Sequence, residues 1–199
     1  MGIYHKWKCV FVEIPKNASS AIHSVLRNNT DSINTHQTYL EYLNSNDIEL
    51  VESYFSFAVC RNPYERFISA FEFCTKISNE LQDQDFSNFL ISLQKKGDVA
   101  HLGLPVHFLP QYKFVTIKNI ILVDKIIKFE KLSEEWSLIS KKINESKHQT
   151  YTSLSNSLDV INATPSKFNK NIDDFCDEKL KEIIYNLYKK DFEIFNYEK

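Results

Sequence analysis

The chain has 199 residues, 43% of them hydrophobic and 25% charged, with a formal net charge of −2 at neutral pH. That length fills one core and no shift in composition marks a second, so a single domain over 1–199 is expected. The near-neutral balance argues against a dedicated nucleic-acid binder, and any anionic ligand must be held by local chemistry. No apolar run approaches the length of a bilayer span. The first residues carry a short apolar strand rather than a secretion-signal core, so a cytoplasmic protein is the expectation. Cys9, Cys60, Cys74 and Cys176 lack metal-type spacing and read as buried thiols.

Residues 9–14 read as an apolar strand that breaks at Pro15. Helical spacing resumes at Ile22, Val25 and Leu26, giving a helix over about 19–28. Between the two lie Lys16, Asn17, Ala18, Ser19 and Ser20. A strand passing through a tight loop into a helix gathers backbone N–H groups at one point, where the helix end also carries partial positive charge. The combination suits an anion, and phosphate is the usual guest. Lys16 adds a full charge; Ser19 and Ser20 can add hydroxyl donors. The segment lacks the glycines of GxxxxGK[ST], and its lysine precedes the small residues instead of following them. A plain strand-to-helix turn, with Ser19 as cap and Lys16 in solvent, accounts for the segment equally well.

A polar loop containing His36 leads to one or two short helices within 38–55, and residues 54–60 read as a buried strand. The next helix has strong start signals: Asn62 as cap, Pro63 at the first position and Glu65 in capping-box register. Phe67, Phe71 and Cys74 then share one face. A polar helix is expected near 83–96. After the loop from His101 to Pro110 come two short apolar runs, 113–117 and 120–129, then helices over 133–146 and 176–191. Strands alternating with helices predict an α/β fold with a central, mainly parallel sheet flanked by helices. Arg61 stands at a strand end with Ser69 eight residues on. An arginine fork suits a phosphate, although an arginine paired with a carboxylate fits the same spacing.

Five segments in order carry a resemblance: EIPKNASSAI, CRNPYERFISAF, HFLPQ, LVDKIIKFEKL and IYNLYKKDFEIFNY. The first two look like the 5′-phosphosulfate loop and the 3′-phosphate motif of sulfotransferases. Together the five resemble the family (sulfotransferase family 2-like) that contains carbohydrate O-sulfotransferases, which use 3′-phosphoadenosine 5′-phosphosulfate (PAPS). The resemblance implies a three-layer, P-loop-like fold and a sulfuryl transfer from PAPS, as co-substrate and without a metal, to a carbohydrate hydroxyl.

By the same resemblance Lys16 contacts the bridging oxygen and 5′-phosphate, with Asn17, Ala18, Ser19, Ser20 and Ala21 around the phosphosulfate. Arg61 and Ser69 hold the 3′-phosphate. The chain departs from the family pattern at Asn17, where Thr is common, at Ser19, where Gly is common, and at Ala21, where a hydroxyl residue is common. His36 and His107 are the candidate proton acceptors. His36 lies in a region similar to the glycan 2-O-sulfotransferase branch, and His107 matches a histidine of the wider pattern. His101 matches less well, and Glu13 and Glu65 are carboxylate alternatives. Ser166 or Lys167 of a late loop could reach the nucleotide, and the family pattern's charged residues at Arg66 and Glu130 imply a structural ion pair. The competing readings are a P-loop-like nucleotide kinase or phosphotransferase, and a nucleotide-binding domain of the same fold without turnover.

Overall fold

The computed structural model describes residues 2–26, 36–45, 48–77, 81–82, 84–96, 106–146, 153–158, 173 and 176–199. The first described elements are β1 (Gly2–Tyr4), β2 (Cys9–Val12), α1 (Ser19–Leu26), α2 (Tyr39–Ser45), α3 (Ile48–Glu52) and β3 (Phe55–Cys60). Next come α4 (Pro63–Ile77), α5 (Phe86–Lys96), the single turn α6 (Tyr112–Val115), β4 (Thr116–Ile117) and β5 (Ile120–Ile121). The chain closes with β6 (Lys125–Lys128), α7 (Leu132–Ser146) and α8 (Glu178–Phe195). Chain contacts divide it into two compact units, 1–60 with 113–163, and 61–112 with 164–199.

The first unit holds a four-stranded sheet in the order β1-β2-β3-β6, with β2, β3 and β6 parallel and β1 antiparallel to β2. This is the mainly parallel sheet that the alternation of elements predicted. Every residue of β2 is buried, as expected of a strand covered on both faces. Register places Phe11 beside Phe57, with stacked rings 5.1 Å apart, and Phe57 in turn meets Trp136 of α7. Tyr4, Trp7, Ile22, Leu26 and Ile127 complete that core. The segment 38–55 forms two helices, and Thr38 and Glu41 make a reciprocal capping box at the start of α2. The run 113–121 forms no strand of the main sheet. It folds into α6 and an antiparallel β4–β5 hairpin, because Lys118 and Asn119 adopt the left-handed conformation of a tight hairpin turn.

The second unit is helical among its described residues. Asn62 caps α4 as expected, its Oδ1 accepting from Tyr64 N–H at 2.9 Å. The expected apolar face centres on Phe67, whose ring lies 5.4–6.2 Å from those of Phe86, Phe89, Phe108 and Tyr188. Asp177 caps α8, which ends on a left-handed Asn196. All four cysteines are buried, as expected. No helix among the described residues is long and apolar enough to cross a membrane.

Candidate functional site

The loop between β2 and α1 is strained. Lys16 (φ 69°) and Ala18 (φ 63°) both occupy the left-handed region, which costs a residue with a β-carbon about 1–2 kcal/mol. Left-handed residues interleaved in a turn gather successive N–H groups on one side, the geometry of an anion nest. The strain is held in place by Asn17, which is 1% exposed and donates from Nδ2 to the Val59 carbonyl of β3 at 2.8 Å. Ala18 O accepts from Ala21 and Ile22 N–H, which starts the helix. Ser19 does not act as the cap. Its Oγ is buried and has no hydrogen-bond partner among the described residues. Lys16 is half-buried, Ser20 exposed and Ala21 buried.

Arg61 and Ser69 belong to the second unit. Gln111 holds the Arg61 backbone at both ends, accepting from its N–H at 2.9 Å and donating to its carbonyl at 2.8 Å. The Arg61 guanidinium donates to Glu65 Oε2 at 3.0 and 3.3 Å, the arginine–carboxylate pairing that the sequence left open. Glu65 therefore turns toward Arg61, and Ser69 lies half-buried on α4.

His107 sits on a short 3-10 turn, Val106–Phe108, with its ring 4.7 Å from that of Phe73. Arg66, expected opposite Glu130, is 1% exposed and donates to the His107 and Leu109 carbonyls at 2.9 and 2.7 Å. The nearby carboxylate within this unit is Asp191, which accepts from Gln111 and Tyr112 N–H. Burial lifts Asp191 to about 6, against the opposing pull of Arg66 and those N–H donors.

A second constellation, in the first unit, was read only in part from the sequence. Glu13 follows β2 directly and is 7% exposed. Its Oε2 lies 3.2 Å from His23 Nε2, and its Oε1 lies 4.0 Å from His36 Nδ1. His23 Nδ1 meets the Tyr4 hydroxyl at 2.5 Å. Burial works to raise the Glu13 carboxyl, but contact with His23 and the charges of His23 and His36 outweigh it and hold the group at about 2. Burial lowers His36 below its ordinary value, with Glu13 pulling the other way. Sequence reasoning passed over Tyr4 and His23. The available signal was a histidine at the centre of an apolar helix face, Ile22 to Leu26, soon after a strand-end carboxylate.

His101, Ser166 and Lys167 lie outside the described residues. No group of His, Cys, Asp and Glu able to hold a metal occurs among the described ones. No curated protein and no solved structure matches the chain. One family model does match, that of the sulfotransferase family, over residues 3–198. The match runs through both units and all five segments that carried the resemblance. The chain belongs to the sulfotransferase family.

Proposed function

We propose that this sulfotransferase moves a sulfuryl group from PAPS to a hydroxyl of a carbohydrate acceptor, glycan or glycolipid, by in-line displacement with a histidine taking the proton. Sulfotransferases generally use PAPS, and family membership supports the donor. The carbohydrate acceptor rests on the likeness of the five segments to carbohydrate O-sulfotransferases. The kinase alternative is not favoured by any observation.

One observation carries the donor reading: the strained Lys16–Ala18 turn ends on a buried Ser19 hydroxyl that has no partner among the described residues. A buried donor left unpaired costs about 1–3 kcal/mol, and it sits in a loop that already carries backbone strain. A bound anion would satisfy the hydroxyl and hold the loop in this conformation. Lys16 and the loop N–H groups would meet charge developing on the leaving phosphate oxygen. Arg61 and Ser69 would take the 3′-phosphate, the guanidinium exchanging the Glu65 carboxylate for it. His36 is the preferred base because a buried carboxylate faces it, whereas the His107 ring lies against Phe73. On this reading the whole chain is one sulfotransferase domain and its sheet that of a three-layer, P-loop-like fold.

Calorimetric titration with 3′-phosphoadenosine 5′-phosphate (PAP), with AMP and ATP–Mg²⁺ as controls, tests the donor site in wild type and Arg61→Ala. A charge-assisted hydrogen bond contributes about 1.5–3 kcal/mol, so the variant should bind PAP about 10- to 150-fold more weakly. AMP affinity should hardly change. Equal affinity for AMP and PAP, or preference for ATP–Mg²⁺, would overturn the reading. Mass spectrometry of glycans incubated with enzyme and PAPS then tests the acceptor class.

A further inference from the structure

We infer that Gln111 is a positioning residue for the 3′-phosphate: its amide clamps the backbone of Arg61, and buried Arg66, Tyr188 and Asp191 hold the turn that presents it. The inference rests on the reading of Arg61 as the 3′-phosphate ligand. All of these residues belong to the second unit.

Gln111 is completely buried. Its Oε1 accepts from the Arg61 N–H at 2.9 Å and its Nε2 donates to the Arg61 carbonyl at 2.8 Å. An N–H can meet only the amide oxygen, and a carbonyl only the amide nitrogen, so these partners fix which way round the amide lies. The side chain thereby stands in for a neighbouring strand, which would exchange the same two bonds with a residue opposite it. The Gln111 amide also acts on Asp191, favouring its ionised form together with Arg66 and the Gln111 and Tyr112 N–H groups. One amide thus ties the Arg61 backbone to a carboxylate of α8.

The turn that carries Gln111 is the HFLPQ segment, and side chains of α4 and α8 hold its backbone. Arg66 donates to the His107 and Leu109 carbonyls. The Tyr188 hydroxyl donates to the Phe108 carbonyl between them at 2.8 Å. Asp191 takes the next two N–H groups, Gln111 on Oδ2 and Tyr112 on Oδ1, each at 2.8 Å. Pro110, between these two sets of bonds, has no N–H to satisfy and a fixed φ. Arg66, Tyr188 and Asp191 are exposed by 1% or less, so water does not compete for these bonds. A buried polar network with its partners in place specifies one arrangement, and this one ends on the Gln111 amide.

The clamp acts on the backbone of Arg61 and leaves the guanidinium to its own partners. That guanidinium pairs with Glu65, whose side chain is 35% exposed. With the Arg61 backbone fixed, exchange of the Glu65 carboxylate for a phosphate needs rotation of the Arg61 side chain alone. The Cα from which the guanidinium swings stays in place, so the two parallel hydrogen bonds that an arginine can give a phosphate keep their aim. Displacement of such a ligand group by about an ångström is enough to lose most of that geometry. Gln111, being buried, acts through Arg61 rather than on the nucleotide.

The test is calorimetric titration of the full chain with PAP and with AMP in wild type, Gln111→Met, Arg61→Ala and the double variant. Methionine keeps the length of the side chain but offers the Arg61 backbone no comparable pair of bonds. Affinity for PAP should fall about tenfold in Gln111→Met, the worth of one hydrogen bond, while affinity for AMP changes less than about twofold. In the Arg61→Ala background Gln111→Met should weaken PAP no further, because its effect passes through the guanidinium. A merely structural role would weaken PAP by the same factor in both backgrounds. Hydrogen exchange in α4 and α8 checks that each variant keeps its fold. Asp191→Asn, which loosens the hold on Gln111 and leaves the clamp itself, should act in the same selective way by a smaller factor, and it serves if Gln111→Met does not fold. Unchanged affinity for PAP, a loss shared by AMP, or a loss that persists without Arg61 would overturn the inference and leave Arg61 as the phosphate ligand. Full affinity for PAP in Arg61→Ala alone would instead sink the reading of the 3′-phosphate site, and this inference with it.

Discussion

Asn17→Asp is the sharpest test of how the donor loop is held. The substitution keeps shape and volume but replaces the Nδ2 donor, 2.8 Å from the Val59 carbonyl, with an oxygen. The side chain is 1% exposed, so water cannot step in. To keep donating, the carboxyl must stay protonated. From an ordinary pKa of about 3.9, that costs about 4 kcal/mol at pH 7, less wherever ionisation with loss of the bond is cheaper. The folded-state pKa of the new group is raised, so its penalty is absent below about pH 3.9 and grows as pH rises. Asn17→Ala removes the donor without adding charge and should cost about 2 kcal/mol at every pH. The two tryptophans, Trp7 and Trp136, are both buried in the first unit, so urea unfolding followed by tryptophan fluorescence reports on the unit that contains this bond. Curves at several pH values between 5 and 8 should diverge for Asn17→Asp and run parallel for Asn17→Ala. If Asn17→Ala stays within about 0.5 kcal/mol of wild type and Asn17→Asp tracks it at all pH values, the loop is not held through Val59 and the strain argument fails.

Ser19→Ala should leave stability unchanged or raise it by up to about 1 kcal/mol, because a buried hydroxyl without a partner is removed, yet weaken PAP binding about tenfold. Urea unfolding and calorimetry on the same sample would expose a failure of either half. Phe67→Ala, which empties the ring cluster in the second unit, should cost about 3–5 kcal/mol. Hydrogen exchange in α4 and α8 is the appropriate readout, since the tryptophans lie elsewhere. Two carboxylates should give opposite pH dependence. Glu13, held at about 2, contributes about 3 kcal/mol above pH 4.5 that is lost as pH falls toward 2, and Glu13→Gln should remove that loss from the tryptophan-reported curve. Asp191, raised to about 6, makes the second unit most stable below about pH 4 and about 3 kcal/mol less so once pH passes 6. Asp191→Asn should flatten that dependence in hydrogen exchange.

The parts of the fold legible in the sequence are those fixed by neighbours in the chain. The start of α4 follows from Asn62 and Pro63, and the buried strand β3 from its aromatic and β-branched run. The Arg61–Glu65 pair, at i, i+4, was visible as an alternative to a phosphate. Strand β1 has only three residues and gains its place from pairing with β2, so no periodicity could announce it. The hairpin at 116–121 was hidden because Lys118 and Asn119 make a left-handed turn without a glycine. The site was legible as a set of residue types and less so as a set of contacts. Gln111 reaches Arg61 across fifty positions, and the amide of Asn17, read as a ligand group, is directed at strand β3. His23 was missed because its meaning depends on Tyr4 and Glu13, which only the folded sheet and helix bring to it.

Two buried ionic groups show why burial of charge does not by itself mark chemistry. In the second unit Arg66 directs its guanidinium at the carbonyls of His107 and Leu109, and Asp191 directs its oxygens at the N–H groups of Gln111 and Tyr112. Those partners are backbone groups, so the bonds brace the chain from His107 to Tyr112. Glu13 is buried to a similar degree, but its two oxygens face two imidazoles, and one of these, His36, keeps 21% of its side chain exposed. The left-handed residues Lys16, Ala18 and His36 belong to the same unit as Glu13. Each breaks a local preference, and Asn17, bonded to the Val59 carbonyl, anchors the turn that carries Lys16 and Ala18. Strain held by rigid anchors, beside groups able to move a proton, is what separates a site from a brace.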